Sequence, residues 1–430
     1  MIHKLIRKTA FTLIGLIGLF ALYPISPTYS ATYAYVSNSF DDTVSVVRTA
    51  DNVIVTNITV GMWPYGVAVG PTGEYVYVTN GGEESVSVIR THDNTVAASI
   101  PVGTFPRGIG ISPDGAYVYV ANIDDDTVSV IDTSNNTVIA SIDVGPWPEG
   151  VAVSPDGNHV YVANTGDGTI SVIDTAANVV SATVTVGSGP YGIAVAPRGD
   201  VVYVANTQAN TVTVVGTVDN VVAATIPVGR RPIGIAVTPD SEYVYVATSE
   251  DNTVSVIRAS DHTVIRTIEV GEWPYGIATT PDGDYVYVTN IADDTVSVIR
   301  TAEAMVTATL PVGADPYSLG HFIADVPDGP ADDDAAPGHL GSASASSSSS
   351  GGGGGGGCFI ATASCWSSGE RDLSGKSLGQ PLLKRFCSHV PWFANSSSRH
   401  ASLYLSIGWV MLTLVGAALA AGLASFRTRV

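Results

Sequence analysis

One sentence of chemistry is written seven times in this chain. The tetrapeptides Tyr35-Val-Ser-Asn38, Tyr77-Val-Thr-Asn80, Tyr119-Val-Ala-Asn122, Tyr161-Val-Ala-Asn164, Tyr203-Val-Ala-Asn206, Tyr245-Val-Ala-Thr248 and Tyr287-Val-Thr-Asn290 follow one another at 42-residue steps without an insertion. A proline keeps the same step from Pro64 to Pro316, and so does a Val-Gly pair from Val60-Gly61 to Val312-Gly313. A repeat of this length, made of short segments, is one supersecondary unit that buries its apolar faces only against its neighbours.

The third tetrapeptide's repeat can be read strand by strand. Pro106 to Ile111 is short and apolar, and Pro113-Asp114-Gly115 is a turn signal. Ala116 to Ala121 follows, then Asn122 and an acidic loop. Thr127-Val-Ser-Val-Ile131 alternates as a half-buried strand does. Asn135-Asn136 makes a tight turn into Thr137 to Val144. Four antiparallel strands in this space form one propeller blade, and the β-branched content agrees.

The innermost strand supplies an independent test, because side chains must shrink toward an axis. Gly66, Gly108, Gly150, Gly192, Gly234, Gly276 and Ser318 share one position. Two residues on, and on the same face, stand Ala68, Gly110, Ala152, Ala194, Ala236, Ala278 and Gly320. The register starts at a second strand, Tyr33 to Asn38, and ends at a lone inner strand, Pro316 to Ile323. That strand is expected to complete the first blade and remove two exposed sheet edges. The fold class is therefore all-β, a seven-bladed β-propeller over residues 31–323.

The YVxN, TVSVI, IPVG, PxG and SPDG elements resemble the YVTN-type, surface-layer-like β-propeller repeats. The resemblance spans 33–323, including the closing Pro316-Tyr317-Ser318-Leu319-Gly320-His321-Phe322-Ile323. It implies an envelope protein, often without known catalysis.

Charge narrows the partners. Between residues 31 and 357 there are nine basic residues, all arginine, against 37 acidic ones. Such a surface does not displace counterions from phosphate, so no nucleic acid is expected as a partner. All three cysteines, Cys358, Cys365 and Cys387, lie beyond the repeats.

The two ends read as addresses. Residues 1–30 look like a signal peptide: Lys4, Arg7 and Lys8, an apolar run from Phe11 to Tyr23, and a cut before Ala31. Residues 324–357 form an Asp/Ser/Gly-rich linker that ends in Gly351 to Gly357. Cys358-Phe359-Ile360-Ala361-Thr362-Ala363 then resembles the CFI-box type of C-terminal sorting region, and 358–400 is assigned to that segment. The resemblance implies Cys358 as a site of processing or attachment; the bland alternative is a free cysteine. Residues 401–425 are apolar and uncharged, long enough for a transmembrane helix. The tail 426–430 holds Arg427 and Arg429, so the preceding chain is expected outside the cytoplasm, anchored by this single span.

Candidate chemistry sits beside the repeated proline. Before it stand Trp63, Phe105, Trp147, Gly189, Arg231, Trp273 and Asp315; after it stand Tyr65, Arg107, Glu149, Tyr191, Ile233, Tyr275 and Tyr317. These are the places that vary inside an otherwise regular repeat. Trp63, Tyr65, Phe105, Arg107, Trp147, Glu149, Tyr191, Arg231, Trp273, Tyr275 and Tyr317 are taken as a ligand-binding rim at the channel mouth. Rigid wedges between blades are the structural alternative. The loops Asp41-Asp42, Glu83-Glu84, Asp124-Asp125-Asp126, Asp167, Glu250-Asp251 and Asp293-Asp294 read as solvated loops, with Ca²⁺ as the alternative. No metal or cofactor signature is recognised, and no catalytic residue is assigned. Two readings follow. One is a non-enzymatic envelope module that binds a protein, glycan or small ligand at the rim, and the sequence favours it. The other is an exported lyase, hydrolase or cofactor-dependent oxidoreductase at the same mouth, with Glu149, Arg107, Arg231 and His321 as acid, clamps and base.

Overall fold

The computed structural model describes residues 30–327. They form seven four-stranded antiparallel sheets. Blades 1 to 6 run over 64–101, 106–143, 148–185, 190–227, 232–269 and 274–311, each from its inner strand outward. Blade 7 is composite: Ile323–Pro327 pairs with Ser30–Asn38, which is followed by Thr43–Arg48 and Val53–Thr59. The domain is a seven-bladed β-propeller.

The core lies between blades rather than inside one. Tyr77 and Val88 of blade 1 pack with Ile109, Val118 and Val120 of blade 2, and the seams further round repeat the pattern. Each Val or Ile moved out of water there contributes about 1.5–3 kcal/mol. The tetrapeptide tyrosines are buried at these seams. Its asparagine acts within the blade. Asn122 Nδ2 donates to Thr127 Oγ1 at 3.0 Å and Ser129 Oγ at 2.9 Å, clamping the next strand, and Asn38, Asn80, Asn164, Asn206 and Asn290 make the same pair of bonds.

At the waist of the ring the inner strands nearly touch. A Cβ on Gly108 would lie 1.8 Å from the carbonyl oxygen of Glu149, and one on Gly150 would lie 2.3 Å from that of Tyr191. Only glycine lets neighbouring backbones approach this closely. Hydroxyls of the tetrapeptide bridge three consecutive seams. Thr79 Oγ1 accepts from Gly66 N–H at 2.8 Å and donates to Arg107 O at 2.8 Å. Thr289 links Gly276 and Tyr317 in the same way, and Ser37 Oγ donates to Tyr65 O.

The closing strand departs from the expected Pro316–Ile323 span. Pro316 bridges to Asn38, but regular pairing resumes only at Ile323, opposite Ala34. Seven steps along the closing segment face four on its partner, where blade 3 uses five, Pro148 to Val153, against four, Asn164 to Val160. The two extra residues bulge toward the channel through Ser318 at φ 44° and Gly320 at φ 112°. There Val67 N–H donates to Leu319 O at 2.8 Å and Val69 N–H to His321 O at 3.0 Å, which ties blade 7 to blade 1. Ile323 thus takes the ladder place expected of His321.

All of the expected signal peptide but Ser30, most of the linker, the CFI-box-like segment with Cys358, the expected transmembrane helix and the basic tail lie outside the described residues. Among the described residues no helix is long and apolar enough to cross a membrane.

Candidate functional site at the channel mouth

The residue after each repeated proline stands at one end of the inner strand, just before the waist glycine. There the crowding relaxes, and side chains reach across the axis. Arg107 Nη1 lies 3.3 and 3.4 Å from the Glu149 carboxylate oxygens and donates to Tyr191 OH at 2.7 Å, two blades away. Tyr191 OH is in turn hydrogen-bonded to Tyr275 OH, two blades further on. Tyr275 packs on Tyr317 with ring centroids 4.6 Å apart, and Tyr317 on Tyr65 at 4.9 Å. The guanidinium of Arg107 sits 4.7 Å over the Tyr65 ring and 5.2 Å over Phe105. A cation above an aromatic face is attracted by the ring quadrupole.

Burial sets the electrostatics. Glu149 is 7% exposed. Burial pushes its carboxyl up from the ordinary 4.5, and the Arg107 charge opposes that rise without cancelling it. Burial also pulls on the Arg107 guanidinium, but Glu149 and the surrounding phenols more than offset it and hold the charge. Burial pushes the phenols of Tyr191, Tyr275 and Tyr317 far above their ordinary value, so they stand as neutral donors. Arg107 Nε is buried with no hydrogen-bond partner. A buried, unmatched donor of this kind is costly unless something else accepts from it.

The residues before the proline form an outer rim with an unusual backbone. Trp63, Phe105, Trp147, Arg231, Trp273 and Asp315 all adopt φ between 53° and 56°, and Gly189 takes the seventh place. Left-handed backbone at bulky residues is strained and tends to gather at functional sites. The acidic loops hold it in place. Asp126 Oδ1 accepts the Trp147 N–H at 2.8 Å, Asp42 that of Trp63 at 2.9 Å, and Asn252 that of Trp273 at 3.0 Å, each reaching the next blade. The preceding residue serves its own blade: Asp125 accepts from Thr104 N–H and Asp293 from Glu272 N–H, both at 2.6 Å. Sequence reading saw these loops as solvated or calcium-binding. Their fixed place, three and four residues after the end of the tetrapeptide, was the available signal for a capping role.

The four groups of the enzymatic reading do not all meet. Arg107 and Glu149 converge. Arg231 stacks on Trp273 at 5.5 Å and lies 3.9 Å from Glu250 at the rim. His321 belongs to the other end of the inner strand, by Val69. It is solvent-exposed yet ringed by protein, a channel position, and burial lowers its imidazole below the usual 6.5. Two clefts of about 480 and 580 Å³ open between blades on the opposite face, around Tyr119 and Tyr203, away from the mouth.

Comparisons with known proteins split the ring. The family described as "Lactonase, 7-bladed beta-propeller" matches residues 28–139, and the family described as "Cytochrome D1 heme domain" matches 122–321. No curated protein matches the chain. Among solved structures, hydrazine synthase of Kuenenia stuttgartiensis is similar at 25% identity and a TM-score of 0.59, over 62% of this chain and 92% of that one. A functionally unknown protein from Desulfotomaculum acetoxidans shares the fold at 18% identity and a TM-score of 0.60, over 68% of this chain and 98% of that one. These findings overturn the expectation of a non-enzymatic module and point to an enzyme or a haem-binding protein. That expectation rested on the lack of a catalytic constellation along the chain. The ring brings charged and phenolic side chains together from residues 42 or 84 positions apart.

Haem does not fit the residues at the mouth. Haem iron takes His, Cys, Met or phenolate ligands. Among the described residues the mouth floor holds no histidine or cysteine, its phenols are kept protonated, Met62 stands on the rim outside the floor with no histidine to share an iron, and His321 lies at the other end of the strand.

Proposed function

We propose that this propeller is a hydrolase that opens a small ester or lactone at its channel mouth. The observation that carries the reading is the Arg107–Glu149–Tyr191 cluster, where a carboxyl, a fixed cation and a neutral phenol converge at the channel mouth. The lactonase-type match over 28–139, which contains Arg107, supports the class. Glu149 takes a proton from water, and the water oxygen forms a bond to the acyl carbon. The Arg107 guanidinium and a neutral phenol steady the oxyanion. The acyl–alkoxy bond breaks, and the proton on Glu149 passes to the leaving alkoxide. The products are an acid and an alcohol, and no cofactor is required. A carboxylate whose pKa is raised by burial is the better base near neutrality.

The assay is acid release in a pH-stat from δ-valerolactone, glucono-δ-lactone and p-nitrophenyl acetate. Glu149→Gln is expected to lose about 10²- to 10⁴-fold in kcat. A wild-type rate equal to buffer for all three overturns the reading, and so does a Soret band in purified native protein.

The same reading sets the domain outside the cytoplasm, exported by residues 1–30, held by the 401–425 span, and processed or attached at Cys358. Intact mass of protein from the native envelope tests this. A mass for 31–430 supports the span, one ending near Cys358 supports sorting, and retention of residues 1–30 refutes the leader.

A further inference from the structure

We infer that the substrate of this mouth carries an apolar tail, which lies on a strip formed by Phe40, Met62 and Trp63 where blades 7 and 1 meet. The inference rests on the hydrolase reading. These three side chains are 48%, 46% and 45% exposed, and contiguous exposed apolar surface, unlike scattered single residues, marks a binding site. They belong to one neighbourhood: Met62 and Trp63 are consecutive, and Phe40 sits in the loop whose Asp42 accepts the Trp63 N–H.

The strip runs without a break into the reactive floor. Trp63 meets Phe105 edge-on at 6.4 Å, Phe105 meets Tyr65 at 5.8 Å, and Arg107 covers both rings. A head group placed at Arg107 therefore leaves its tail facing aromatic surface on this side. The backbone is shaped for it. Blade 1 carries Gly81-Gly82 in the loop where blade 2 has Ile123-Asp124 and blade 5 has Ser249-Glu250. A Cβ on Gly82 would lie 2.9 Å from Met62 Cβ, and one on Gly81 would lie 2.6 Å from the Tyr65 ring. Across the mouth the rim is polar. Ser188 Oγ donates to Gln208 Oε1 at 2.8 Å, and Arg230 pairs with Asp251 at 2.6 Å. The floor is thus apolar on one flank and charged on the other, which fixes the direction of an amphiphile.

The test is a series of p-nitrophenyl acetate, butyrate and octanoate. Wild-type kcat/KM is expected to rise roughly twofold or more for each pair of added methylenes, below the limit for full burial. Phe40→Ser and Met62→Ser, checked for an unchanged melting temperature, are expected to bring the octanoate-to-acetate ratio toward one. A flat wild-type series, or variants that keep its slope, overturns the tail site while leaving the hydrolase reading intact. If no ester is turned over, the hydrolase reading fails by itself. The strip is then judged by Trp fluorescence titrated with sodium octanoate. Saturable binding weakened at least fivefold by Met62→Ser keeps the apolar site, and no binding overturns it. Binding to phosphatidylcholine vesicles without octanoate binding overturns it in favour of a membrane surface.

Discussion

The waist and the mouth of the channel are built from neighbouring residues of the same strands, yet they obey opposite rules. At the waist, Gly66, Gly108, Gly150, Gly192, Gly234 and Gly276 are interchangeable, because each faces the carbonyl of the next blade at a distance no Cβ survives. One residue earlier, Tyr65, Arg107, Glu149, Tyr191, Ile233 and Tyr275 differ freely. The difference is radius. Where backbones touch, the repeat is dictated by sterics and carries no information about a ligand. Half a turn of the pleat outward, the ring leaves room, and seven equivalent places become seven independent choices of chemistry. The framework makes those choices converge without any of them being adjacent in sequence.

The largest effect expected from breaking this contrast is at the waist. Gly108→Ala drives a methyl group against the Glu149 carbonyl, a backbone atom that cannot turn aside. A loss of about 3 kcal/mol or more in unfolding free energy is expected, read by urea denaturation. Ser318 shows what a side chain there requires. Its Oγ accepts from Ser37 N–H and its N–H donates to Ser37 Oγ, both at 2.9 Å, in a segment that has already bulged away from its ladder. Ser318→Gly is accordingly a mild change, about 1 kcal/mol. If Gly108→Ala melts like the wild type, the waist is not the determinant of the repeat.

A smaller effect is expected at the mouth, and it depends on pH. The folded state binds the Glu149 proton more tightly than the unfolded chain does, since burial raises its carboxyl above 4.5. The stability linked to this group is fully present below that value and is lost as pH rises through the higher folded value. Glu149→Gln removes the dependence, so the variant gains on the wild type as pH increases from acid to neutral. The proposed hydrolysis runs the other way: a Glu149 base would work only when deprotonated, so the wild-type rate is expected to climb with pH in the same window. Denaturation and rate profiles that fail to share that window would separate Glu149 from the chemistry.

How much of this was legible in the chain follows from the same contrast. The blade count and the ring were readable because the 42-residue step is enforced by waist sterics and by the asparagine clamp. The mouth position was readable as the place where the repeat varies. That Arg107 meets Glu149 and Tyr191, while Arg231 and His321 stay away, was not readable. It depends on ring radius and on which blades face each other. The closing bulge was hidden for a different reason. Ser318 and Gly320 keep the small-residue pattern beyond Pro316 yet belong to the bulge, and no further repeat marker follows them to reveal the two extra residues. The charged and phenolic cluster was missed because its pieces are dispersed by whole repeats.

The smallest effect sharpens the contrast at the rim, where Trp147 holds a left-handed backbone at φ 56° while remaining 40% exposed. Replacing it by glycine removes strain of about 1–3 kcal/mol. It also removes a partly buried indole, a loss of about the same size. The two nearly cancel, so Trp147→Gly is expected to stay within about 1 kcal/mol of wild type. Trp147→Val keeps the strained φ in a β-branched residue, loses most of the packing, and should fall further. The reverse exchange calibrates the argument, because a Cβ on Gly189 would lie 2.8 Å from Gln208 Cγ. That neighbour is a flexible side chain, so Gly189→Trp should fold with a modest loss rather than fail as a waist substitution does. If Trp147→Gly instead costs 3 kcal/mol, the indole is a wedge between blades. The rim would then belong with the waist, as framework rather than as part of the site.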